Sequence, residues 1–509
     1  MQIEVIIEKK SHKLDAEEGK TILETLQEKG IHVLTAPCGG RGRCGKCTVE
    51  VERMGTVLAC TTKVTDGMRI TIPNVQLRAQ KSEIAESGTV THYPSDEEEG
   101  LDAACDIGTT TVVCHLIDAK TGEKLATVSE PSAQRSFGAD VLSRIQAAEA
   151  GKLEILKEQI IFQIAQMLRT LQKKADREGE TIHRLAVAGN TVMCHLFTGI
   201  SPVSIGVTPF MPQEFFGKEY TGGQLGLSNC ESVYIAPAVA GFVGGDITSD
   251  LLAVMQENPK EQTLLLDIGT NGEMAVGNED GIYCCATAVG SAFEGAEMAM
   301  GMPASVGAIS HVWLDQRRIR VQVIGDEEAC GICGSGLIDA LAVVLEMGLA
   351  DHTGLLKQKQ SVSVAYRKYL GEYAGQPCVW LAHKVCLTQE DIRGLQLAKA
   401  AFAAGMRILL QESHTSYEQL DRVILAGGFG SYLKKESAAA IGLLPKELLP
   451  ITDSVGNAAG EGAVSAAVSK KAREQLTVIQ EHMHYIELST HPDFSQEYMN
   501  QMEFDGYER

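Results

Sequence analysis

Pro37-Cys38-Gly39-Gly40-Arg41-Gly42-Arg43-Cys44-Gly45-Lys46-Cys47 is the stretch from which the rest of this 509-residue chain can be read. Three thiols sit on one short loop, and a fourth, Cys60, follows after twelve more residues. The pattern C-x5-C-x2-C with a later fourth cysteine differs from the plant-type [2Fe–2S] spacing by one residue in its first gap. Glycines between the thiols let the backbone wrap a bulky inorganic core and aim amides at its sulfides. Cys38, Cys44, Cys47 and Cys60 are therefore the expected iron ligands, and the chain is expected to carry single electrons.

Other readings of the loop fare worse. Structural zinc usually takes two C-x2-C pairs, and only one is present here. Disulfides need an oxidising compartment, whereas the chain opens Met1-Gln2-Ile3-Glu4-Val5 without a charged-then-apolar signal segment. Gly40-x-Gly42-x-x-Gly45 imitates a dinucleotide fingerprint, and Gly40-x4-Gly45-Lys46 imitates a phosphate loop with Cys47 in place of Ser or Thr. Both motifs require a strand before and a helix after. Here a helical pattern (Thr21 to Lys29) precedes and an alternating strand (Thr48-Val49-Glu50-Val51) follows.

Working outward, residues 1–76 read as a small α+β domain with strands at Gln2–Glu8 and His12–Asp15, then near 47–53, 56–60 and 68–72. Thr21 caps its helix. The order resembles the β-grasp ferredoxin fold. Residues 77–100 turn acidic, ending Ser95-Asp96-Glu97-Glu98-Glu99-Gly100, and read as an exposed, self-repelling linker. A net charge of −21 argues against nucleic acid, which needs clustered Lys and Arg. No apolar run approaches a membrane span. Fourteen cysteines fit a reducing cytoplasm.

Beyond the linker the chain repeats itself. Leu101-Asp102-Ala103-Ala104-Cys105-Asp106-Ile107-Gly108-Thr109-Thr110 returns as Leu264-Leu265-Leu266-Asp267-Ile268-Gly269-Thr270-Asn271-Gly272. Each is an apolar strand, a sharp Asp-x-Gly-Thr turn and a second strand, and each hairpin is followed by a third strand and helices, a second paired element. Later, Leu185-Ala186-Val187-Ala188-Gly189-Asn190 pairs with Val423-Ile424-Leu425-Ala426-Gly427-Gly428, and Gly244-Gly245-Asp246 with Gly456-Asn457-Ala458. Four paired elements in one order imply two lobes, 101–258 and 259–470, facing across a cleft, with a C-terminal tail from 471 to 509. Such hairpins present amides and hydroxyls to phosphate oxygens, and their aspartates can hold magnesium through water. Gly108, Thr109, Thr110, Gly269, Thr270, Asn271 and Gly272 are thus expected at phosphates. Gly427 and Gly428 are expected at adenosine, and Gly334-Ser335-Gly336 at a helix N-terminus favouring anions. Asp106 and Asp267 are the expected catalytic carboxylates beside Mg2+, with Asp267 placing the attacking water. Cys330 and Cys333 read as packing, Cys284-Cys285 as core, and Asp140 and Asp246 as helix caps.

These lobes resemble the actin, sugar kinase and heat-shock-chaperone ATPase superfamily (ASKHA), with an insertion around 303–385. The fold class is therefore α/β: a β-grasp ferredoxin-like domain joined to a two-lobed ASKHA domain. That combination resembles the reductive activators of corrinoid-dependent proteins. Phe137-Gly138-Ala139-Asp140-Val141-Leu142-Ser143-Arg144-Ile145, Gly331–Gly336, Leu387-Thr388-Gln389-Glu390-Asp391-Ile392 and Tyr485-Ile486-Glu487-Leu488-Ser489 carry the likeness. Some members place an additional domain after the linker, whereas here Asp106 follows almost at once. The resemblance implies a [2Fe–2S] cluster, ATP and Mg2+. It also implies one-electron return of Co(II) corrinoid to Co(I) for methyl transfer on a partner of a methyltransferase or demethylase system. An upstream low-potential donor would supply the electron, and a homodimer fits as well. No Asp-x-His-x-x-Gly signature is present, so the corrinoid is expected on the partner. Activation of a dehydratase-type enzyme, or a small-molecule kinase with a redox-sensing head, are the alternatives.

Overall fold

The computed structural model describes residues 1–504 apart from His32, Thr35, 74–89, Thr91, Glu97, Glu98, Glu294, Ala296, Glu297 and Ser431. The N-terminal domain contains β1 (Gln2–Ile7), β2 (Lys10–Asp15), helix Ile22–Glu28, β3 (Thr48–Val51), β4 (Gly55–Leu58) and β5 (Arg69–Thr71). Its sheet runs β2-β1-β5-β3-β4, with β1 and β5 parallel. Thr21 starts the helix through a reciprocal cap. Its hydroxyl accepts from the Glu24 N–H at 3.2 Å, while the Glu24 carboxylate accepts from the Thr21 N–H at 2.8 Å. Ile22, Leu23 and Leu26 then pack on Ile3, Val5, Val49 and Ile70. This is the β-grasp arrangement; β2 starts two residues earlier than the pattern suggested, at Lys10, while β3 is confined to Thr48–Val51 rather than 47–53.

Lobe I follows with β6 (Leu101–Ile107), β7 (Thr111–Asp118), β8 (Lys124–Pro131), β9 (Ile182–Gly189), β10 (Lys218–Thr221) and β11 (Cys230–Ile235), in sheet order β10-β11-β9-β6-β7-β8. Lobe II begins with β12 (Thr263–Ile268), β13 (Gly272–Asn278) and β14 (Gly281–Thr287). The inserted region forms two three-stranded sheets. The first contains β15 (Ala308–Asp315), β16 (Arg318–Val323) and β17 (Gly331–Ile332); the second contains β18 (Leu370–Tyr373), β19 (Gln376–Ala382) and β20 (Val385–Thr388). After helix Gln389–Glu412 come β21 (Arg422–Ala426), β22 (Thr452–Gly456) and β23 (Met483–Ile486), giving sheet order β22-β21-β12-β13-β14-β23. In each lobe the first strand is antiparallel to the second and parallel to the strand after the helices: β6 with β7 and β9, β12 with β13 and β21. The duplication read from four sequence pairs is thus a duplication of sheet topology.

Two ends of the chain are tied in more closely than their composition suggests. Residues 77–89, Thr91, Glu97 and Glu98 of the acidic linker lie outside the described residues. Its described end is anchored rather than free: His92 Nε2 lies 2.6 Å from the buried Glu461 carboxylate, which Lys124 also meets at 2.8 Å. The Asp96 carboxylate accepts from the Lys470 N–H at the start of helix Lys470–His482, where the helix dipole favours negative charge. At the other end β23 joins the lobe II sheet alongside β14. Phe504 is fully buried, and Lys399 donates to the carbonyls of Gln501 and Glu503.

Between the two sheets lies a third core built on helices Gly245–Met255 and Ala458–Val468. The second helix is almost all small residues, so its backbone approaches the first directly. A Cβ on Gly462 would stand 2.1 Å from the Ser249 carbonyl oxygen. Gly462→Ala is therefore expected to cost about 1–3 kcal/mol through overpacking and to lower the thermal midpoint of the two-lobed unit. Gly223→Ala, where a Cβ meets nothing within 4 Å, is the control that leaves it unchanged.

Candidate functional site

The glycine-rich loop brings the four sulfurs together as two pairs. Cys38 and Cys44 Sγ atoms are 3.4 Å apart, and the Cys47 and Cys60 thiols hydrogen-bond to each other. The path requires glycine at Gly40 and Gly42, which have φ of 82° and 71°; a Cβ on Gly42 would lie 2.9 Å from Thr61 Cγ2. Burial acts to raise the Cys38 thiol, but amides of Cys44, Arg43 and Arg41 aimed at its sulfur overcome this and bring it down to about 7. Cys47 is pushed up to about 12 by burial first and by its sulfur neighbours next, so it gives up its proton only to a nearby cation. The four sulfurs thus stand as a Cys38–Cys44 pair and a Cys47–Cys60 pair. Two pairs of sulfurs ringed by inward amides suit a group with two metal atoms, and the residues present fit a [2Fe–2S] cluster.

A cavity of about 610 Å3 opens between the lobes and beneath this loop. The two hairpin turns meet across it: Thr110 Oγ1 and Thr270 Oγ1 are 3.2 Å apart. Asn190, which caps helix Thr191–Thr198, also donates to Thr109 Oγ1 at 3.0 Å and so fixes the first turn. The second is tightened by the Gly269 N–H donating to the Asn271 carbonyl at 3.0 Å. Gly108, Gly269, Asn271, Gly334, Ser335, Gly427 and Gly428 also line the cavity, together with Asp106 and Asp267. Gly427, with φ of 85°, passes so close to Asp267 that a Cβ would fall 2.1 Å from its carboxylate oxygen. Two expected residues stand back from the space. Gly272 backs onto Phe402, 2.6 Å from its would-be Cβ, and Gly336 onto the Ile309 carbonyl at 2.3 Å. Their smallness serves strand and helix packing. Cys284 and Cys285 are core, Cys333 is buried, and Cys330 is exposed beside the cleft. Cys105 and Cys114 are joined, sulfur to sulfur, across β6 and β7.

Several groups at the cleft carry no simple sequence signal. Asp140 is a cap, accepting from the Ser143 N–H at 2.7 Å. Asp246 is not: Gly244 occupies the cap position of helix Gly245–Met255, and the Asp246 side chain lies in the cleft. Two glycines let the helix start pack directly on its neighbours: a Cβ on Gly244 would lie 2.5 Å from the Thr191 nitrogen and one on Gly245 2.7 Å from the Ala236 carbonyl oxygen. Asp250, one turn on, and Glu273 on β13 join it. Burial first, then mutual repulsion, raises these carboxyl groups above their ordinary range. Asp267 is pushed up to about 8 by burial, Asp246 and Asp106; Asp106 to about 7 by burial and Asp246; and Asp246 to about 6 by burial. Asp250 and Glu273 go well above the carboxylate range for the same reason. Both Asp250 oxygens are buried without a hydrogen-bond partner. Buried carboxylate oxygens without a hydrogen-bond partner could hold a cation that takes one or two carboxylates and completes its shell with water and phosphate, as Mg2+ does. Lys46, which the sequence shows only as part of the imitation phosphate loop, forms part of the cleft wall with Pro37.

Comparison with known proteins agrees with this layout along the whole chain. Residues 4–74 match the model of a 2Fe-2S iron-sulfur cluster binding domain, 101–258 the RACo middle region, and 261–508 the C-terminal domain of RACo, the ASKHA domain. The corrinoid activation enzyme RamQ of Eubacterium limosum is 31% identical, covering 92% of this chain and 93% of that protein. The [Co(II) methylated amine-specific corrinoid protein] reductase of Methanosarcina barkeri is 27% identical over 67% of this chain and 65% of its own length. A solved reductive activator for corrinoid, iron-sulfur protein superposes with a TM-score of 0.72 at 29% identity, covering 99% of this chain and 98% of that one. No described helix is long and apolar enough to cross a membrane. The chain belongs to the RACo family, with an iron-sulfur head fused to an ASKHA domain.

Proposed function

We propose that this chain is an ATP-dependent reductive activator that gives one electron to an inactive Co(II) corrinoid on a partner protein, restoring Co(I) for methyl transfer. The observation that carries this reading is the position of the cysteine loop: Pro37 and Lys46 form part of the wall of the cleft that contains the paired phosphate hairpins. An electron carrier placed there shares a wall with the nucleotide. Cys38, Cys44, Cys47 and Cys60 hold the cluster, which when bound supplies a one-electron carrier, near −400 mV in plant-type ferredoxins. The amides directed at Cys38 stabilise its thiolate, and burial of Cys47 and Cys60 keeps water from that pair.

In the cleft, Gly108–Thr110 and Gly269–Asn271 clamp the phosphates from opposite lobes, Gly334 and Ser335 add a helix N-terminus, and Gly427 and Gly428 leave room for adenosine. Asp106 and Asp267 would hold Mg2+ through water, releasing to solvent the protons that burial and crowding favour on them; when bound, the ion would supply charge neutralisation at the phosphates. Asp267, held against Gly427, orients the attacking water. ATP binds best when both hairpins reach it, so it favours a closed cleft over an open one. Each turnover leaves the chain one electron short, which makes a low-potential donor a second partner. The reaction belongs in the cytoplasm, where thiols such as Cys330 stay reduced.

Three outcomes test the scheme. Reduced protein mixed with a Co(II) corrinoid protein is expected to give the Co(I) absorption band with MgATP and far less without it; equal yields refute ATP coupling. Cys60→Ser is expected to lose the visible absorption of the cluster while keeping nucleotide affinity measured by calorimetry; loss of both refutes independent modules. Asp267→Asn is expected to slow phosphate release by about 10²-fold or more with the cluster spectrum unchanged, and an unchanged rate would remove Asp267 from catalysis.

A further inference from the structure

The cysteine loop is fastened to both lobes. On one side the Pro37 carbonyl accepts from the Ala139 N–H of lobe I at 3.2 Å. On the other, Lys46, which sits between Cys44 and Cys47, donates from Nζ to the carbonyls of Met298 at 2.8 Å and Gly301 at 3.3 Å in lobe II. The Ala299 N–H within that segment is in turn held by the Asp391 carboxylate at 2.8 Å.

Each fastening point lies one step from an element that faces the phosphates. In lobe I the buried Arg144 donates to the Gly138 carbonyl at 3.3 Å, beside Ala139, and also to the Thr109 carbonyl in the first hairpin turn. In lobe II the Ile332 N–H donates to the Met300 carbonyl and the Met302 N–H to the Ile332 carbonyl, both at 2.9 Å. Gly334, two residues beyond Ile332, opens the helix at the cleft. Ala299 lines both the cleft and a second groove of about 860 Å3 that reaches Cys44. The segment 298–302 is a shared wall, with nucleotide space on one face and the cluster loop on the other.

We propose that Lys46 is a positioning residue that ties the cluster loop to nucleotide occupancy. A loop bonded to two bodies cannot keep both sets of bonds when the bodies turn against each other. The turns already touch through Thr110 and Thr270 at 3.2 Å, so seating a polyphosphate between them turns one lobe against the other; this shifts the loop or frees it from segment 298–302, and Lys46 makes lobe II the side that pulls. The assignment rests on the reading of the cleft as an ATP site.

Amide hydrogen exchange on the full-length, cluster-loaded protein tests it, with and without Mg2+ and a non-hydrolysable ATP analogue, in the same samples used to measure analogue affinity by calorimetry. In the unaltered protein, the analogue is expected to change exchange in peptides spanning 38–47 and 298–302 by roughly fivefold or more, the lower end of ordinary coupling between sites. Lys46→Met is expected to abolish the response at 38–47, and Lys46→Arg to restore it. A cluster loop that ignores bound analogue in the unaltered protein overturns the assignment of Lys46 while sparing the ATP reading, and so does a full response in Lys46→Met. Failure of the unaltered protein to bind the analogue overturns the ATP reading and the assignment with it.

Discussion

Two helices with little but hydrogen and methyl groups between them set the distance across this molecule. The crossing of Gly245–Met255 with Ala458–Val468 brings backbone to backbone at Ser249 and Gly462, and it holds the two sheets at a separation that lets Thr110 and Thr270 face each other. A larger residue at the crossing would push the lobes apart and move both hairpins off the phosphates they jointly hold. The small-residue pattern, unremarkable in a single helix, is therefore what turns two similar lobes into one cleft.

The electrostatics of the cleft work in the opposite sense to its packing. Packing is satisfied, whereas charge is not: Asp106, Asp246, Asp250, Asp267 and Glu273 crowd a space where burial makes every negative charge costly. Polyphosphate alone would worsen this repulsion. On the proposed reading, a divalent cation accompanying the nucleotide would relieve it. The buried Cys47 thiol, pushed up by burial and by its sulfur neighbours, presents a related problem in the cysteine loop.

The chemistry-bearing turns were legible in the sequence because each is local. Cys38, Cys44 and Cys47 sit within one loop, and the Asp-x-Gly-Thr hairpins need only one strand on each side, so spacing alone identifies them. The topology of both lobes followed from the order of the repeats. Long-range placements were not legible. Lys46 looks like any loop lysine until the fold brings Met298 to it across more than two hundred residues. Asp246 looks like a helix cap because an aspartate beside glycine usually is one; only the approach of the two connector helices turns it into the cleft. Gly272 and Gly336 share the glycine signal of a phosphate turn but answer to Phe402 and Ile309 behind them.

The place of β23 sets an order on the making of this protein. The outer strand of the lobe II sheet is drawn from residues 483–486, and the segment beyond it is held where Lys399 donates to the carbonyls of Gln501 and Glu503. A ribosome delivers the head and the first lobe hundreds of residues before that edge exists, and domains generally fold as they emerge. The iron-sulfur head can thus finish folding while the second lobe still lacks its outermost strand.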